Sequence, residues 1–67
     1  MQPAELRVIR KGLGVSQGQL GDALGLTGQF IGLMERGLKP IERRTEYAVR
    51  YLAQNPHLIA HAGKIST

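Results

Sequence analysis

The sequence predicts an all-α domain of five short helices, and three observations lead to that fold class. Apolar residues recur at intervals of three and four along most of the chain, as on the buried side of a helix. Residues that cap helices separate these stripes, and glycine or proline follows each stripe. With 67 residues and no cysteine, the chain makes one small domain, 1–67, without disulfides or thiolate zinc sites.

A pair of helices from Gln17 to Arg36 is the most specific pattern in the chain. Ser16 and Thr27 can each cap the start of one helix of the pair. Gly25 can adopt a positive φ between them and end the first helix without steric cost. Gly21 has no side chain, so it allows the two helix axes to approach closely. Two helices joined by a turn of three or four residues that contains a glycine form a helix-turn-helix unit.

Helices are also predicted on both sides of this unit. An apolar stripe marks a first helix from about Pro3 to Lys11. A fourth helix is expected from about Glu42 to Gln54, because Asn55 precedes a proline and such a residue avoids the helical region. A short fifth helix is expected over about 56–62.

Residues of the central pair occupy positions that define a known family. A glutamine begins its first helix, a glycine follows four residues later, and a second glycine lies at the turn, at Gln17, Gly21 and Gly25. The matching apolar positions and the closing Glu-Arg-Gly are Leu20, Leu24, Leu26, Ile31, Met34 and Glu35 to Gly37. With these residues, the stretch from about Leu6 to Leu52 resembles repressors of the Cro and C1 type. The resemblance implies a lambda-repressor-like fold, sequence-specific binding of double-stranded DNA, and a homodimer on an inverted repeat.

The third helix would contact the bases in the major groove. Successive residues of a helix are rotated by 100°. If Ile31 and Met34 face inward, counting from Thr27 shows which residues lie on the outward side of the third helix and which lie on its flanks. Gln29 can pair with adenine through two hydrogen bonds, and Leu33 can contact a thymine methyl group. The residues expected at the bases are Gln29, Gly28, Phe30, Gly32, Leu33 and Arg36.

Gly28 and Gly32 have a functional interpretation and a neutral one, and the neutral one includes a glycine that is merely tolerated. Each costs roughly 1 kcal/mol relative to alanine inside a helix. Their missing side chains either let the helix backbone approach DNA or make room for a neighbouring helix. The sequence departs from the family here, since family members often carry a polar side chain at the position of Gly28.

Contacts to phosphates are expected from the start of the second helix and from the segment after the third. The amide-rich first turn at Gln17 has a positive dipole end, and Thr27 offers a hydroxyl. Lys39, Arg43 and Arg44 surround the loop where family members hold the DNA backbone. For the two arginines, an ordinary solvated charge pair is the alternative. The resemblance also implies a structural ion pair between Arg10 and Glu35.

A two-fold dimer is expected from the carboxyl-terminal part of the chain. Tyr47 and Tyr51 are four residues apart and share one side of the fourth helix. Leu58 and Ile59 follow the Asn55-Pro56 break and add apolar surface nearby. The alternative is that all four complete the core of the single chain.

Composition limits the other function classes. The net charge of +4 and the pI near 10.1 fit a polyanionic partner. His57 and His61 have zinc-like spacing but lack further ligands, and the five carboxylates are scattered, so we expect no metal, no cofactor and no enzyme activity. No membrane-spanning segment and no small-molecule effector are expected, and the cytoplasm is the expected location. The alternatives are an antitoxin with a toxin partner, or a protein-interaction or RNA-binding module.

Overall fold

Four α-helices and one 3₁₀ turn form the secondary structure of residues 1–59, the part of the chain that this computed structural model describes. No β-strand occurs within these residues. No helix among them is long and apolar enough to cross a membrane. The elements are α1 at Pro3–Leu13, α2 at Gln17–Leu24, α3 at Gly28–Glu35, α4 at Arg43–Gln54 and the 3₁₀ turn at Pro56–Leu58.

The all-α prediction is confirmed, but the fifth helix is not. Residues Pro56–Leu58 make a single 3₁₀ turn after α4. The remainder of the expected fifth helix, 60–62, lies outside the described residues. The first helix is two residues longer than expected and ends at Leu13, where Gly14 caps it with a left-handed φ of 74°.

The predicted caps form the starts of α2 and α3. The hydroxyl of Ser16 accepts a 3.0 Å hydrogen bond from the amide of Gln19, whose side-chain oxygen accepts a 2.8 Å bond from the amide of Ser16. This reciprocal pair is a capping box. Thr27 accepts a 3.0 Å bond from the amide of Phe30. Gly25 ends α2 with a φ of 74°, so local sequence signals fix both ends of the connection between the helices.

The core receives side chains from every helix and from the chain after α4. Within residues 1–59 its buried members are Leu6, Val15, Leu20, Ile31, Met34, Val49, Leu52 and Ile59. Ile59 is 1% exposed, because the 3₁₀ turn folds the chain back onto the helices. The assignment of Ile59 to a subunit interface is therefore corrected, since its side chain completes the core of the single chain.

The backbone of α2 is approached closely at two places, by the connection to α3 at Gly21 and by α3 itself at Gly28. A Cβ atom on Gly21 would lie 2.6 Å from the carbonyl oxygen of Leu26. A Cβ atom on Gly28 would lie 2.8 Å from the Cα atom of Gly18. Both distances are shorter than any side chain tolerates, and both neighbours are backbone that cannot swing away. The predicted close approach at Gly21 is confirmed.

We expect Gly21→Ala to lower the free energy of unfolding by about 1–3 kcal/mol, because overpacking forces the backbone to shift. Gly12 provides a matched control, since a Cβ atom there meets nothing within 4 Å and the residue lies inside α1. Gly12→Ala should stabilise the protein by up to about 1 kcal/mol through helix propensity. Urea denaturation measures both variants. Equal effects of the two substitutions would contradict the close approach at Gly21.

Candidate nucleic-acid interface

The amino-terminal turns of α2 and α3 lie side by side at the contact between Gly18 and Gly28. The start of a helix carries partial positive charge and unpaired backbone amides. Gly18, Thr27 and Gln29 are exposed around this contact, and Gln17 is half-buried beside it. We call the four residues Gln17, Gly18, Thr27 and Gln29 the α2–α3 surface. Its charge and its donors suit an anionic ligand such as a phosphate.

The outward side of α3 carries fewer side chains than expected. Gln29 and Arg36 are exposed and Leu33 is half-buried, as the 100° rotation predicts. Arg36 also donates a 3.3 Å hydrogen bond from Nε to the carbonyl oxygen of Gly32. Phe30 is half-buried and packs against the core. The side chains of α3 that point away from the protein are therefore Gln29, Arg36 and part of Leu33.

Gly32 is buried, so its predicted outward position is wrong. A Cβ atom on Gly32 would lie 3.2 Å from Oε1 of Gln17, which covers the glycine from α2. Gly28 also faces α2, through Gly18. Of the two interpretations offered for these glycines, the structure supports contact with the neighbouring helix, and neither presents its missing side chain to the outside.

The side chain of Gln17 turns toward α3. Its Nε2 atom donates a 3.2 Å hydrogen bond to Oε1 of Glu35. One Nε2 hydrogen of Gln17 is therefore used within the protein, and the residue links α2 to the end of α3. The expected phosphate contact at Gln17 stays a prediction.

A largely buried ion pair holds the third helix to the first. Arg10 donates to Glu35 through Nε at 2.6 Å and through Nη2 at 3.1 Å. Its Nη1 donates a 3.0 Å bond to the carbonyl oxygen of Val15, just before α2. The two side chains are 12% and 4% exposed, so the implied ion pair is present and lies away from water. A bidentate pair of this kind fixes geometry as well as supplying energy.

The electrostatics of Glu35 follow from that geometry. Burial on its own would raise the pKa of the carboxyl group. Hydrogen bonds from Arg10 and Gln17, with the positive charges of Arg10 and Arg7, outweigh burial and hold the pKa of Glu35 below its usual range. The carboxylate is therefore ionised at neutral pH and neutralises Arg10.

Exposed basic residues cluster between the end of α3 and the start of α4, and two others, Arg7 and Lys11, are exposed on α1. Glu5 and Glu46 bind Arg50 at 3.0 and 2.9 Å, on the side formed by α1 and α4. The exposed basic residues of the segment 36–44 are Arg36, Lys39, Arg43 and Arg44. Arg44 is paired with Glu42 at 3.2 Å, where both side chains are exposed. Positive charge therefore extends from the end of α3 to the start of α4.

A surface cleft of about 480 Å³ lies between the connection of α2 with α3 and the start of α4. Its lining residues, which define the cleft below, are Leu24, Leu26, Phe30, Pro40, Glu42, Arg44, Thr45 and Ala48. Its volume lies within the range of small-molecule sites.

The aromatic residues assigned to a dimer lie on the surface. Tyr47 and Tyr51 are 63% and 60% exposed, and Leu58 is also exposed. These three side chains do not complete the core of the single chain, unlike Ile59. His57 is exposed, and His61 lies outside the described residues. Within residues 1–59 no group of three His, Cys, Asp or Glu side chains is arranged to hold a metal ion.

No protein-family model, curated protein or solved structure matches this chain.

Two features were missed in the sequence. One is the close contact of Gly18 with Gly28. In the sequence, it could be found only from the glycine that each helix carries in its first turn. Helical periodicity does not reveal the cleft, because its lining combines two distant stretches of the chain, 24–30 and 40–48.

The lowered pKa of Glu35 predicts how stability depends on pH. The pair stabilises the fold fully above the unfolded value of 4.5, and this contribution is lost as the pH falls through the folded pKa. We expect Glu35→Gln to cost about 3–5 kcal/mol at neutral pH, because Arg10 loses its buried partner. The variant should also lose less stability than the wild type on acidification.

Urea denaturation between about pH 6 and about pH 3 measures this difference. Glu42→Gln is the matched control, since it removes a carboxylate from an exposed pair that contributes about 0–1 kcal/mol. If Glu35→Gln and Glu42→Gln behaved alike at neutral pH, the ion pair would not hold α3 in place.

Proposed function

We propose that this protein is a sequence-specific regulator that binds double-stranded DNA through α2 and α3, which act as a helix-turn-helix unit of the lambda-repressor-like type. The observation that carries the proposal is the α2–α3 surface. It combines two positive helix starts with the exposed amide of Gln29, and the basic segment 36–44 adjoins the end of α3. The resemblance to Cro- and C1-type repressors supports the same function.

In this proposal α3 enters the major groove with its outward side against the bases. Gln29 is the principal base-contacting residue and would pair with adenine. Leu33 would contact a thymine methyl group, and Arg36 would bind a guanine or a phosphate. Because Gly28 and Gly32 face α2, specificity rests on fewer side chains than the sequence pattern alone indicates.

The phosphates would be held on two sides of the groove. The start of α2 and Thr27 supply backbone amides and a hydroxyl on one side. Lys39, Arg43 and Arg44 supply cations on the other. Arg43 is exposed at the first position of α4, so it is the cation best placed for a phosphate without competition from Glu42.

A repressor of this kind would act as a homodimer on an inverted repeat and block access to a promoter. The two copies of α3 would then lie about 34 Å apart, one turn of the duplex. Tyr47, Tyr51 and Leu58 provide exposed apolar surface for such a dimer. Neither a cofactor nor a small-molecule effector has a part in this mechanism.

We expect specific duplex binding whose affinity falls steeply with salt. Neutralising about six to eight phosphates per dimer predicts a slope of log affinity against log salt near −5 to −7. Selection from a random duplex pool, followed by anisotropy titrations at several salt concentrations, measures both properties. Equal affinity for selected and random duplexes would remove the repressor function, and preference for single-stranded RNA would favour an RNA-binding module.

Gln29→Ala and Arg43→Ala should weaken binding in different ways. The loss of a bidentate base contact costs about 1–3 kcal/mol and relaxes preference at one base pair. The loss of a phosphate contact weakens binding to all sequences alike and makes the salt slope shallower by about one per subunit. Competition titrations with single-base variants of the selected site separate the two effects. Unchanged preference in Gln29→Ala would show that the orientation of α3 is wrong.

A further inference from the structure

The side chain of Gln29 is an unoccupied amide in the candidate interface. By contrast, the side chain of Gln17 donates to Glu35, and that of Gln19 accepts from the backbone amide of Ser16. Gln29 is exposed in the first turn of α3, and within residues 1–59 its side chain makes no hydrogen bond. Its oxygen and its amino group are therefore both available to one ligand.

The rest of α3 offers no substitute for this amide. Both glycines of the helix face α2, and Phe30 lines the cleft. Leu33 is apolar. Arg36, at the end of the helix, has donors only, and its Nε already donates to the carbonyl oxygen of Gly32 at 3.3 Å. Among the side chains that α3 turns outward, Gln29 alone can therefore match a base edge that presents a donor beside an acceptor.

Adenine presents such an edge in the major groove. Its N7 atom accepts a hydrogen bond, and its N6 amino group donates one. Watson–Crick pairing with thymine uses one hydrogen of that amino group, so only the other hydrogen faces the groove. Gln29 would donate from Nε2 to N7 and accept this second hydrogen at Oε1.

A methyl group on N6 removes that donor. In a paired adenine the methyl group takes the place of the hydrogen that faces the groove, because the other hydrogen is bonded to thymine. Oε1 of Gln29 then meets an apolar group in place of a donor. An acceptor that is taken out of water without a hydrogen bond costs free energy, so the methylated edge should be rejected and not merely read less well.

We propose that this protein distinguishes unmethylated from N6-methylated adenine in its duplex site through Oε1 of Gln29, and that methylation of this adenine releases the protein. The inference rests on the proposed function and deepens it, because it names the chemical state of the DNA that the site accepts. An adenine-specific DNA methyltransferase is the class of enzyme that would control the binding.

The fixed position of α3 opposes an adjustment to the methyl group. At the first turn, the backbone of Gly28 packs on that of Gly18, where an added Cβ atom would lie 2.8 Å from the neighbouring Cα atom. At the far end, Glu35 accepts hydrogen bonds of 2.6 and 3.1 Å from Arg10. The helix is held at both ends, so Gln29 cannot withdraw from one base without moving the other contacts of α3.

Competition titrations of the full chain with modified duplexes test the proposal. The contacted adenine is located as the position where base substitution weakens binding by the wild type but not by Gln29→Ala. N6-methylation of that adenine alone should weaken wild-type binding by roughly 10- to 100-fold, the range for the loss of one bidentate base contact. Methylation of an adenine outside the selected site is the control on the DNA side, and it should leave the affinity unchanged.

Two variants show whether Gln29 is responsible. Gln29→Ala should bind the methylated and unmethylated duplexes equally, with an affinity close to that of the wild type for the methylated duplex. Gln54→Ala is the matched control, since Gln54 is also an exposed helical glutamine but lies at the end of α4. It should retain the full sensitivity to methylation. Both side chains are exposed, so the midpoint of urea denaturation should stay unchanged in both variants.

Three results would overturn the inference and leave the proposed function standing. Unchanged wild-type affinity for the methylated duplex would show that the N6 hydrogen is not read. Tighter binding of the methylated duplex would show that the methyl group is accommodated, as by packing on Leu33. An equal loss in the wild type and in Gln29→Ala would assign the effect to the altered duplex itself.

Failure of the proposed function gives a different result. The wild type would then bind selected and random duplexes equally, no contacted adenine would be found, and both proposals would be overturned. A selected site at which Gln29→Ala keeps the wild-type preference at every position would retain duplex binding with α3 in another orientation, and would overturn the sensing of methylation by Gln29.

Discussion

The buried carboxylate of Glu35 is the constraint on which the arrangement of the helices depends. Arg10 binds it from α1 through two hydrogen bonds, and Gln17 binds it from α2. The same arginine holds the carbonyl oxygen of Val15, where the chain enters α2. Three helices are therefore oriented about one ionised group at the end of α3. A buried pair adds little net stability over apolar packing, but its geometry allows one arrangement.

The contact between α2 and α3 limits which side chains of α3 are exposed. Gly28 and Gly32 lie on one flank of α3 and are used against α2, where a larger side chain at Gly28 would meet backbone. Phe30 lies on the opposite flank and borders the cleft. These packing requirements leave Gln29, Arg36 and part of Leu33 to face a ligand. The proposed DNA contact therefore combines sparse base recognition with strong attraction to phosphates.

Local signals predicted the all-α class, the caps at Ser16 and Thr27 and the turn at Gly25, because each depends on a few adjacent residues. The position of Gly32 could not be predicted in the same way. Helical rotation gives the angle of a residue from the core, but not which flank a neighbouring helix covers. The burial of Ile59 and the cleft were missed for a related reason. The first depends on how the chain after α4 folds back onto the helices, and the second on how the connection of α2 with α3 packs near α4.

An amide-resolved NMR titration with a selected duplex shows whether the α2–α3 surface binds DNA. If it does, the largest shifts should occur at Gln17, Gly18, Thr27 and Gln29 and around Lys39 and Arg43. The amide of Val8, on the outer side of α1, should stay unchanged. Shifts concentrated on α1, with the α2–α3 surface unaffected, would show that duplex DNA does not bind through α2 and α3.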